Sequence, residues 1–196
     1  LTKPKKQKFY NLNLMMCSNC NFVQIDTVID PSIIYKNYIY QTLSSITLKK
    51  HFKSYFEDVA SFYNKSNKTK TNEINSKLVI DIGSNDGTLL KYFKNKKYKV
   101  LGIEPAKLIS KNANKNGIET ICNFFSNDLS KKIFKKYQNA DIILINNLFA
   151  NIDNLHDFCS GIKYLLDKNG LLIIESSYLI DMIQNKVFDF VYHEHL

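Results

Sequence analysis

The sequence predicts an α/β fold for residues 77–196, built on a doubly wound and mostly parallel sheet. Two observations predict it. Five short apolar runs alternate with segments that have helical spacing, and continuous apolar runs are typical of strands buried on both faces of a parallel sheet. The first run also ends in a glycine turn, at the edge where open α/β sheets bind their ligands.

The predicted strands and helices follow one another at regular intervals. The first helix is TLLKYFKN, the second begins at Pro105, and the third is capped by Ser126 or Asn127. The fourth, NLHDFCSGIKYLLDKNG, is closed by Gly170, and LIDMIQNKVFD predicts a last helix. The five predicted strands are KLVIDIG (77–83), YKVLGIEP (98–105), IETICNFF (118–125), ADIILINNLFA (140–150) and GLLIIESSY (170–178).

Three segments precede this domain. Residues 1–30 are β-rich, residues 31–65 carry apolar and aromatic residues at helical spacing, and residues 66–76 form a polar linker. The chain begins with Leu1, and no strand follows the fifth one, although sheets of this kind are normally closed at that edge. We therefore expect a fragment that is truncated on its C-terminal side.

The composition excludes several classes of protein. With 44% hydrophobic and 23% charged residues, the chain of 196 residues is expected to fold as a globular protein. It has no apolar run near the ~18 residues of a membrane helix and no signal sequence, so a cytoplasmic protein without membrane contact is expected. The net charge is +9, but nucleic acid is not an expected partner, because arginine, which makes the bidentate contacts, is absent.

Two of the four cysteines have the spacing of a metal knuckle. Cys17 and Cys20 enclose two residues, as in zinc sites where two thiolates bind one tetrahedral ion. They supply half of a site, so either the partner pair is missing or these thiols bind no metal. Cys122 and Cys159 lie in apolar stretches and are expected to pack as small hydrophobic residues.

The loop after the first predicted strand reads Asp-Ile-Gly-Ser-Asn-Asp-Gly (81–87). Gly83 and Gly87 allow a sharp turn and a close approach to a ligand, and Asn85 tolerates the left-handed backbone where a further glycine could stand. Glu104 ends the second strand, where a carboxylate can accept hydrogen bonds from both hydroxyls of a ribose.

Two cofactors use this arrangement. A nicotinamide dinucleotide needs three glycines around its pyrophosphate, and Asp81 and Asp86 would repel that group. S-adenosylmethionine (SAM) has no phosphate and carries a sulfonium and an ammonium group, so acidic residues attract it. The loop therefore favours SAM over a nicotinamide cofactor, and a glycine turn without a ligand is the remaining alternative.

Further motifs cover nearly the whole chain: CSNCNFVQ, YIYQTLSSIT with His51, DIGSNDGTLL, LGIEPA, NFF, NNLFANID, GLLIIESSYL and YHEHL. On these motifs the chain resembles the sugar C-methyltransferases, which act on nucleotide-linked 4-keto deoxysugars. The resemblance implies a Rossmann-like class I methyltransferase domain that binds SAM, preceded by a helical covering segment. It also implies an N-terminal zinc-knuckle domain, in which Cys17 and Cys20 form one ligand pair, and a C-terminal nucleotide-sugar domain.

The motif Tyr-His-Glu-His (192–195) has the groups that remove a proton from carbon. Without the resemblance, the two histidines are also consistent with half of a metal site or with a solvated polar chain terminus. The resemblance implies His195 as the base, assisted by Glu194, with Tyr192 and Tyr40 nearby, and a tyrosine hydroxyl can donate to the enolate oxygen. Without the resemblance, Tyr40 is equally well interpreted as packing on a helix face.

Residues at the ends of the later strands complete the expected site. Phe124 is expected beside the adenine, with core packing as the alternative, and Asn146 and Asn147 are expected where cofactor and substrate meet. Glu175 and Tyr178 are expected to face the substrate.

One position departs from the family pattern. The family has a histidine implicated in catalysis where this chain has Asn151, and an amide cannot accept a proton at neutral pH. The leading hypothesis is a SAM-dependent C-methyltransferase that acts on a nucleotide sugar. The alternatives are an inactive or repurposed SAM-binding remnant, an RNA methyltransferase and an NAD-dependent oxidoreductase.

Overall fold

The structure is a computed structural model that describes residues 8–35, 38, 42, 46–68, 71–187 and 191. Its first element is a small antiparallel hairpin, in which β1 (Leu14–Met16) pairs with β2 (Val23–Ile25). Cys17 and Cys20 lie between these two strands, and both are exposed. Hydrogen bonds from the backbone of Cys20 and Asn19 hold the pKa of the Cys17 thiol below its ordinary value.

No three His, Cys, Asp or Glu side chains of the described part of the chain come together as a metal site. The zinc expectation for the hairpin therefore stays a prediction. Among the same residues, no helix is long and apolar enough to cross a membrane.

The main sheet confirms the predicted fold class. Its strands run parallel in the order β5-β4-β3-β6-β7. The chain winds outward from β3 in both directions, so the order reverses between β3 and β6, and ligands bind at such a switch point. The strands are β3 (Leu78–Ile82), β4 (Lys99–Ile103), β5 (Thr120–Ile121), β6 (Ala140–Asn146) and β7 (Leu166–Glu175).

Helices cover both faces of this sheet. Side chains alternate between the faces along each strand, so Val79 packs with α2 and α3, while Ile80 and Ile82 pack with α5 and α6. This explains why β3 is fully buried and apolar except at Asp81. The helices are α1 (Pro31–Tyr35), α2 (Ile46–Ser66), α3 (Thr88–Asn95), α4 (Lys107–Lys115), α5 (Asn127–Tyr137), α6 (Leu155–Leu165) and α7 (Leu179–Gln184).

Several predicted boundaries are wrong. The third strand contains only Thr120–Ile121, because it is an edge strand that pairs with β4 alone. The chain leaves the sheet after Ile121, and residues 122–124 are exposed. The fourth strand ends at Asn146, since Asn147 has a left-handed backbone with a φ of 51°. Gly170 does not close the fourth helix, because it lies inside β7, which begins directly after α6.

The start of the third helix agrees with its predicted cap. The Ser126 side chain accepts a hydrogen bond from the backbone amide of Leu129 over 3.1 Å. The cysteine prediction is wrong, because Cys122 and Cys159 are both exposed. Cys122 lies past the end of β5, and Cys159 lies on the face of α6 opposite to Phe158 and the other buried residues of that helix.

Candidate active site

A pocket opens at the carboxyl edge of the sheet, above the switch point between β3 and β6. Residues that follow four of the strands line it from below, and residues of α1, α2 and the segment between them line it from the other side. The lining includes Tyr35, Tyr38, Thr42, Leu48, Phe52, Asp81, Gly83, Ser84, Asn85, Glu104, Phe124, Asn146, Asn147 and Asn151.

The loop after β3 has left-handed backbone at three positions. Gly83, Asn85 and Gly87 have φ angles of 81°, 49° and 77°. Asn85 therefore has the left-handed backbone that was expected at this position from the sequence. Its side-chain oxygen accepts hydrogen bonds from the amides of Thr42 (3.1 Å) and Asp86 (2.9 Å), which ties the loop to the segment before α2.

Two of the predicted cofactor residues support the loop without lining the pocket. The Asp86 carboxylate accepts hydrogen bonds from the Thr88 amide (3.1 Å) and hydroxyl (2.6 Å), so it caps the first turn of α3. Gly87 lies against Ile118, where a Cβ atom would come within 2.9 Å of that side chain. The spacing of the motif did not distinguish such supporting residues from lining ones.

Two buried carboxyl groups lie at the ends of neighbouring strands. Glu104 accepts hydrogen bonds from the amides of Asn85 (3.1 Å) and Ala106 (2.8 Å), and burial nevertheless raises its pKa. Asp81 is 4% exposed, and burial together with the charge of Glu104 raises its pKa to about 7. Two acidic groups in one pocket favour a cationic ligand or a ligand with several hydroxyls.

Aromatic side chains form the outer wall beyond β5. Phe124 is 45% exposed, and its ring makes an edge contact with Tyr35 at 6.4 Å between centroids. The Tyr35 hydroxyl accepts a hydrogen bond from the Asn151 amide over 3.1 Å. The sequence did not indicate Tyr35 and Thr42 as site residues. Their hydrogen-bond partners, Asn151 and Asn85, lie more than 40 residues away in the chain, and such contacts leave no local pattern in the sequence.

Two residues that line the pocket have buried polar side-chain atoms. Ser84 Oγ and both polar atoms of the Asn146 carboxamide form no hydrogen bond of ordinary geometry with the described residues, and neither does the Tyr55 hydroxyl beside Asn146. Ser84 Oγ packs against Gly102, while burial and the charges of Asp81 and Glu175 raise the pKa of Tyr55 against a smaller lowering by Asn146. A buried group without a partner costs about 1–3 kcal/mol, so the Asn146 carboxamide indicates a place for a polar ligand.

The ends of β6 and β7 are held together beside these atoms. The Asn147 amide donates to the Glu175 carbonyl oxygen (2.8 Å), and the Asn147 side chain donates to the Glu175 carboxylate (3.4 Å). That carboxylate also lies 2.6 Å from Nε2 of His51. The predicted catalytic residues Tyr40, Tyr192, Glu194 and His195 lie outside the described residues.

Comparison with known proteins identifies the family. Residues 49–196 match a family described as a methyltransferase domain. The chain belongs to this methyltransferase family. The α/β sheet with its pocket at the switch point is therefore the sheet of a methyltransferase domain, as the resemblance implied.

One curated relative covers almost all of this methyltransferase domain. C-methyltransferase NovU of Streptomyces niveus is 25% identical over 189 residues, which are 96% of this chain and 43% of NovU. The chain thus spans less than half the length of this relative.

Solved methyltransferase structures share the fold. The plantazolicin methyltransferase BpumL, in complex with a pentazolic desmethylPZN analog and S-adenosylhomocysteine (SAH), has a TM-score of 0.58 and 19% identity over 74% of this chain and 54% of BpumL. A SAM-dependent methyltransferase from Archaeoglobus fulgidus has a TM-score of 0.53 and 15% identity over 69% of this chain and 59% of its own.

Proposed function

We propose that this methyltransferase domain binds SAM and methylates the carbon beside the ketone of a nucleotide-linked 4-keto deoxysugar. The observation that carries the cofactor proposal is the pair of buried carboxyl groups, Asp81 and Glu104, beside a loop with left-handed backbone. The name of NovU as a C-methyltransferase supports the type of reaction, and the SAH in the BpumL complex supports the cofactor.

The pocket residues fit SAM group by group. Glu104 can accept hydrogen bonds from the two ribose hydroxyls, Phe124 offers an exposed ring to the adenine, and ionised Asp81 attracts the ammonium group. Gly83 lets the backbone approach without a side chain in the way. A nicotinamide dinucleotide fits less well, because its pyrophosphate would meet the two buried acidic groups.

The chemistry divides between the cofactor and the chain. SAM, when bound, supplies an electrophilic methyl group next to its sulfonium. His195 removes the proton from the acceptor carbon with the assistance of Glu194, and Tyr192 and Tyr40 donate hydrogen bonds to the enolate oxygen, as the resemblance implies. Asn146 ends β6 and Asn147 follows it, at the edge where cofactor and acceptor would meet.

Three further expectations belong to the same proposal. Cys17 and Cys20 supply two thiolates of a structural zinc site whose other ligands lie elsewhere. The resemblance also implies a C-terminal nucleotide-sugar domain, and this chain spans 43% of the length of NovU. A cytoplasmic location follows from the soluble nucleotide-sugar substrate.

A second candidate is a SAM-binding domain without turnover. Asn151 favours it, because its amide occupies the position of a family histidine and is hydrogen-bonded to Tyr35. Such a domain would bind SAH as well as an active enzyme does, but it would not methylate an acceptor.

Methyl transfer to a defined acceptor tests the proposal. The 196-residue chain is incubated with methyl-labelled SAM and thymidine-diphosphate-linked 4-keto-6-deoxyglucose, and the sugar is analysed by mass spectrometry. We expect one added methyl group, its loss in His195→Gln and its retention in the control His156→Gln. SAH binding without any turnover would support the second candidate, and loss of both activities in His195→Gln would contradict the assigned role of that residue.

A further inference from the structure

A histidine and a glutamate from distant parts of the chain meet next to residues that line the pocket. His51 on α2 places its Nε2 atom 2.6 Å from an oxygen of Glu175, the last residue of β7. The side chains remain 45% and 29% exposed, so both are accessible to a ligand.

The chemistry of the pair fixes its protons when the imidazole is neutral. An ionised carboxylate can only accept hydrogen bonds, so Nε2 of His51 must donate to Glu175. The second ring nitrogen, Nδ1, then has no proton and is an acceptor. The pair therefore presents an oriented hydrogen-bond acceptor, in the way that a carboxylate orients a histidine in many binding sites.

The surroundings connect this pair with the pocket. Phe52, the next residue of α2, lines the pocket, and so does Asn147, which donates two hydrogen bonds to Glu175. Asn146 contributes two buried polar atoms that lie beside the Tyr55 hydroxyl and form no hydrogen bond of ordinary geometry with the described residues. A ligand with several hydroxyl or carbonyl groups would satisfy these atoms, whereas an apolar ligand would leave them unpaired.

We propose that His51 binds a hydroxyl group of the acceptor through Nδ1 and that Glu175 is the positioning residue that holds the ring. The inference rests on the proposed function, since it assigns a part of the acceptor site beside the SAM pocket. It makes a hydroxyl-rich acceptor, such as a sugar, the ligand of this end of the pocket. The competing explanation is a clamp between α2 and β7 that touches no substrate.

Two substitutions separate these explanations. His51→Phe keeps a ring beside Phe52 and Tyr55 but removes both ring nitrogens, and with them the bond to Glu175 and the acceptor. Loss of a clamp lowers the melting temperature without a selective loss of sugar affinity, whereas loss of a hydroxyl-binding nitrogen weakens sugar binding selectively. Glu175→Gln removes the charge that orients the ring, and His156→Phe is the matched control, because His156 is an exposed histidine on α6.

The experiment measures three affinities by calorimetry on the 196-residue chain, together with the melting temperature of each variant. The ligands are SAH, thymidine diphosphate, and thymidine-diphosphate-linked 4-keto-6-deoxyglucose with SAH present. For His51→Phe we expect at least tenfold weaker binding of the nucleotide sugar, and less than twofold changes for SAH and for thymidine diphosphate. Glu175→Gln should weaken the binding of the nucleotide sugar only, and the control His156→Phe should change none of the affinities.

Each other outcome has a definite meaning. If His51→Phe binds the nucleotide sugar as the wild type does, or binds all three ligands more weakly to the same extent, the pair is a clamp and the inference is overturned. It is also overturned if the wild type binds the sugar no more tightly than thymidine diphosphate. If SAH does not bind but the loss of sugar affinity in His51→Phe is present, the cofactor proposal fails and the acceptor site stands.

Discussion

The Glu104 carboxylate accepts a hydrogen bond from the backbone amide of Asn85 over 3.1 Å. This contact joins the acidic residue at the end of β4 to the loop that follows β3, so the two motifs that suggested SAM lie side by side. The same carboxylate accepts a second hydrogen bond, from the Ala106 amide, which leaves it fixed and ready to accept from a ligand.

The first prediction concerns this carboxylate. Glu104→Gln should weaken SAH binding by about tenfold to hundredfold, because a neutral amide makes weaker hydrogen bonds to the ribose hydroxyls than a carboxylate does. The measurement is calorimetric titration with SAH. The surface variant Glu119→Gln is the control, since the Glu119 carboxylate accepts hydrogen bonds from Lys136 and Tyr137 and does not line the pocket, and it should bind SAH normally. Equal affinities of the two variants would remove Glu104 from the cofactor site.

The second prediction compares two glycines that share a left-handed backbone. Gly87 and Gly117 have φ angles of 77° and 79°, but a Cβ atom at Gly87 would lie 2.9 Å from Ile118, whereas at Gly117 it would meet only Lys94 Nζ at 3.6 Å. Gly117→Ala should cost about 1 kcal/mol from backbone strain, and Gly87→Ala about 1–3 kcal/mol more from overpacking.

Chemical denaturation of both variants measures this difference in the free energy of unfolding. If Gly117→Ala were the less stable variant, the close packing of the loop against Ile118 would not be the feature that requires Gly87.

The third prediction concerns the pH dependence of stability. The pKa of Asp81 is about 7 in the folded chain, against an ordinary value of 3.8. A raised pKa of an acid contributes stability that is present below about pH 4 and lost as the pH rises to 7, on the order of a few kcal/mol. Asp81→Asn should therefore gain stability over the wild type as the pH rises from 4 to 8.

A second variant, at a carboxyl group whose pKa is lowered and not raised, checks the direction of the pH effect. Hydrogen bonds from Asn13 and Thr27 lower the pKa of Asp26 from its ordinary value of 3.8, so Asp26→Asn should lose stability relative to the wild type as the pH rises toward about 4 and show a constant deficit above it. Unfolding curves at several pH values give both differences. A constant difference between Asp81→Asn and the wild type would show that this carboxyl group is not perturbed.

The fourth prediction tests the aromatic wall. Phe124→Ala should weaken SAH binding by about tenfold, since stacking of a base on an aromatic ring contributes about 1–3 kcal/mol. Stability should change little, because Phe124 is 45% exposed. Phe62→Ala on α2 removes a ring that is 60% exposed and far along the helix from the pocket-lining Phe52, and it should leave SAH affinity unchanged. Similar affinities of the two variants would place the adenine elsewhere.

The fold was predictable because its signals are local. The buried strand β3 is an apolar run interrupted only by Asp81, and the left-handed positions of the loop are filled by Gly83, Asn85 and Gly87, residue types that favour such a backbone. The third strand was predicted too long because the apolar letters of Cys122–Phe125 continue beyond the last paired residue, Ile121. An edge strand with one neighbour ends where pairing ends, and not where hydrophobicity does.

The site was predictable only in part, because much of it depends on contacts between distant residues. Asp81 and Glu104 were found from the spacing of one loop and the next strand end. The contact between His51 and Glu175 spans 124 residues and has no periodic signal. Asp86 was assigned to the cofactor because it is acidic, although its carboxylate caps α3.

The central claim is that the pocket binds the cofactor of a methyltransferase, and one titration tests it most directly. SAH is titrated calorimetrically into the 196-residue chain, after circular dichroism has established that the chain is folded, with NADH as the control ligand. We predict that SAH binds and that NADH does not. Binding of NADH alone, or of neither ligand to the folded chain, would contradict the assignment of the loop at Gly83–Gly87 to SAM.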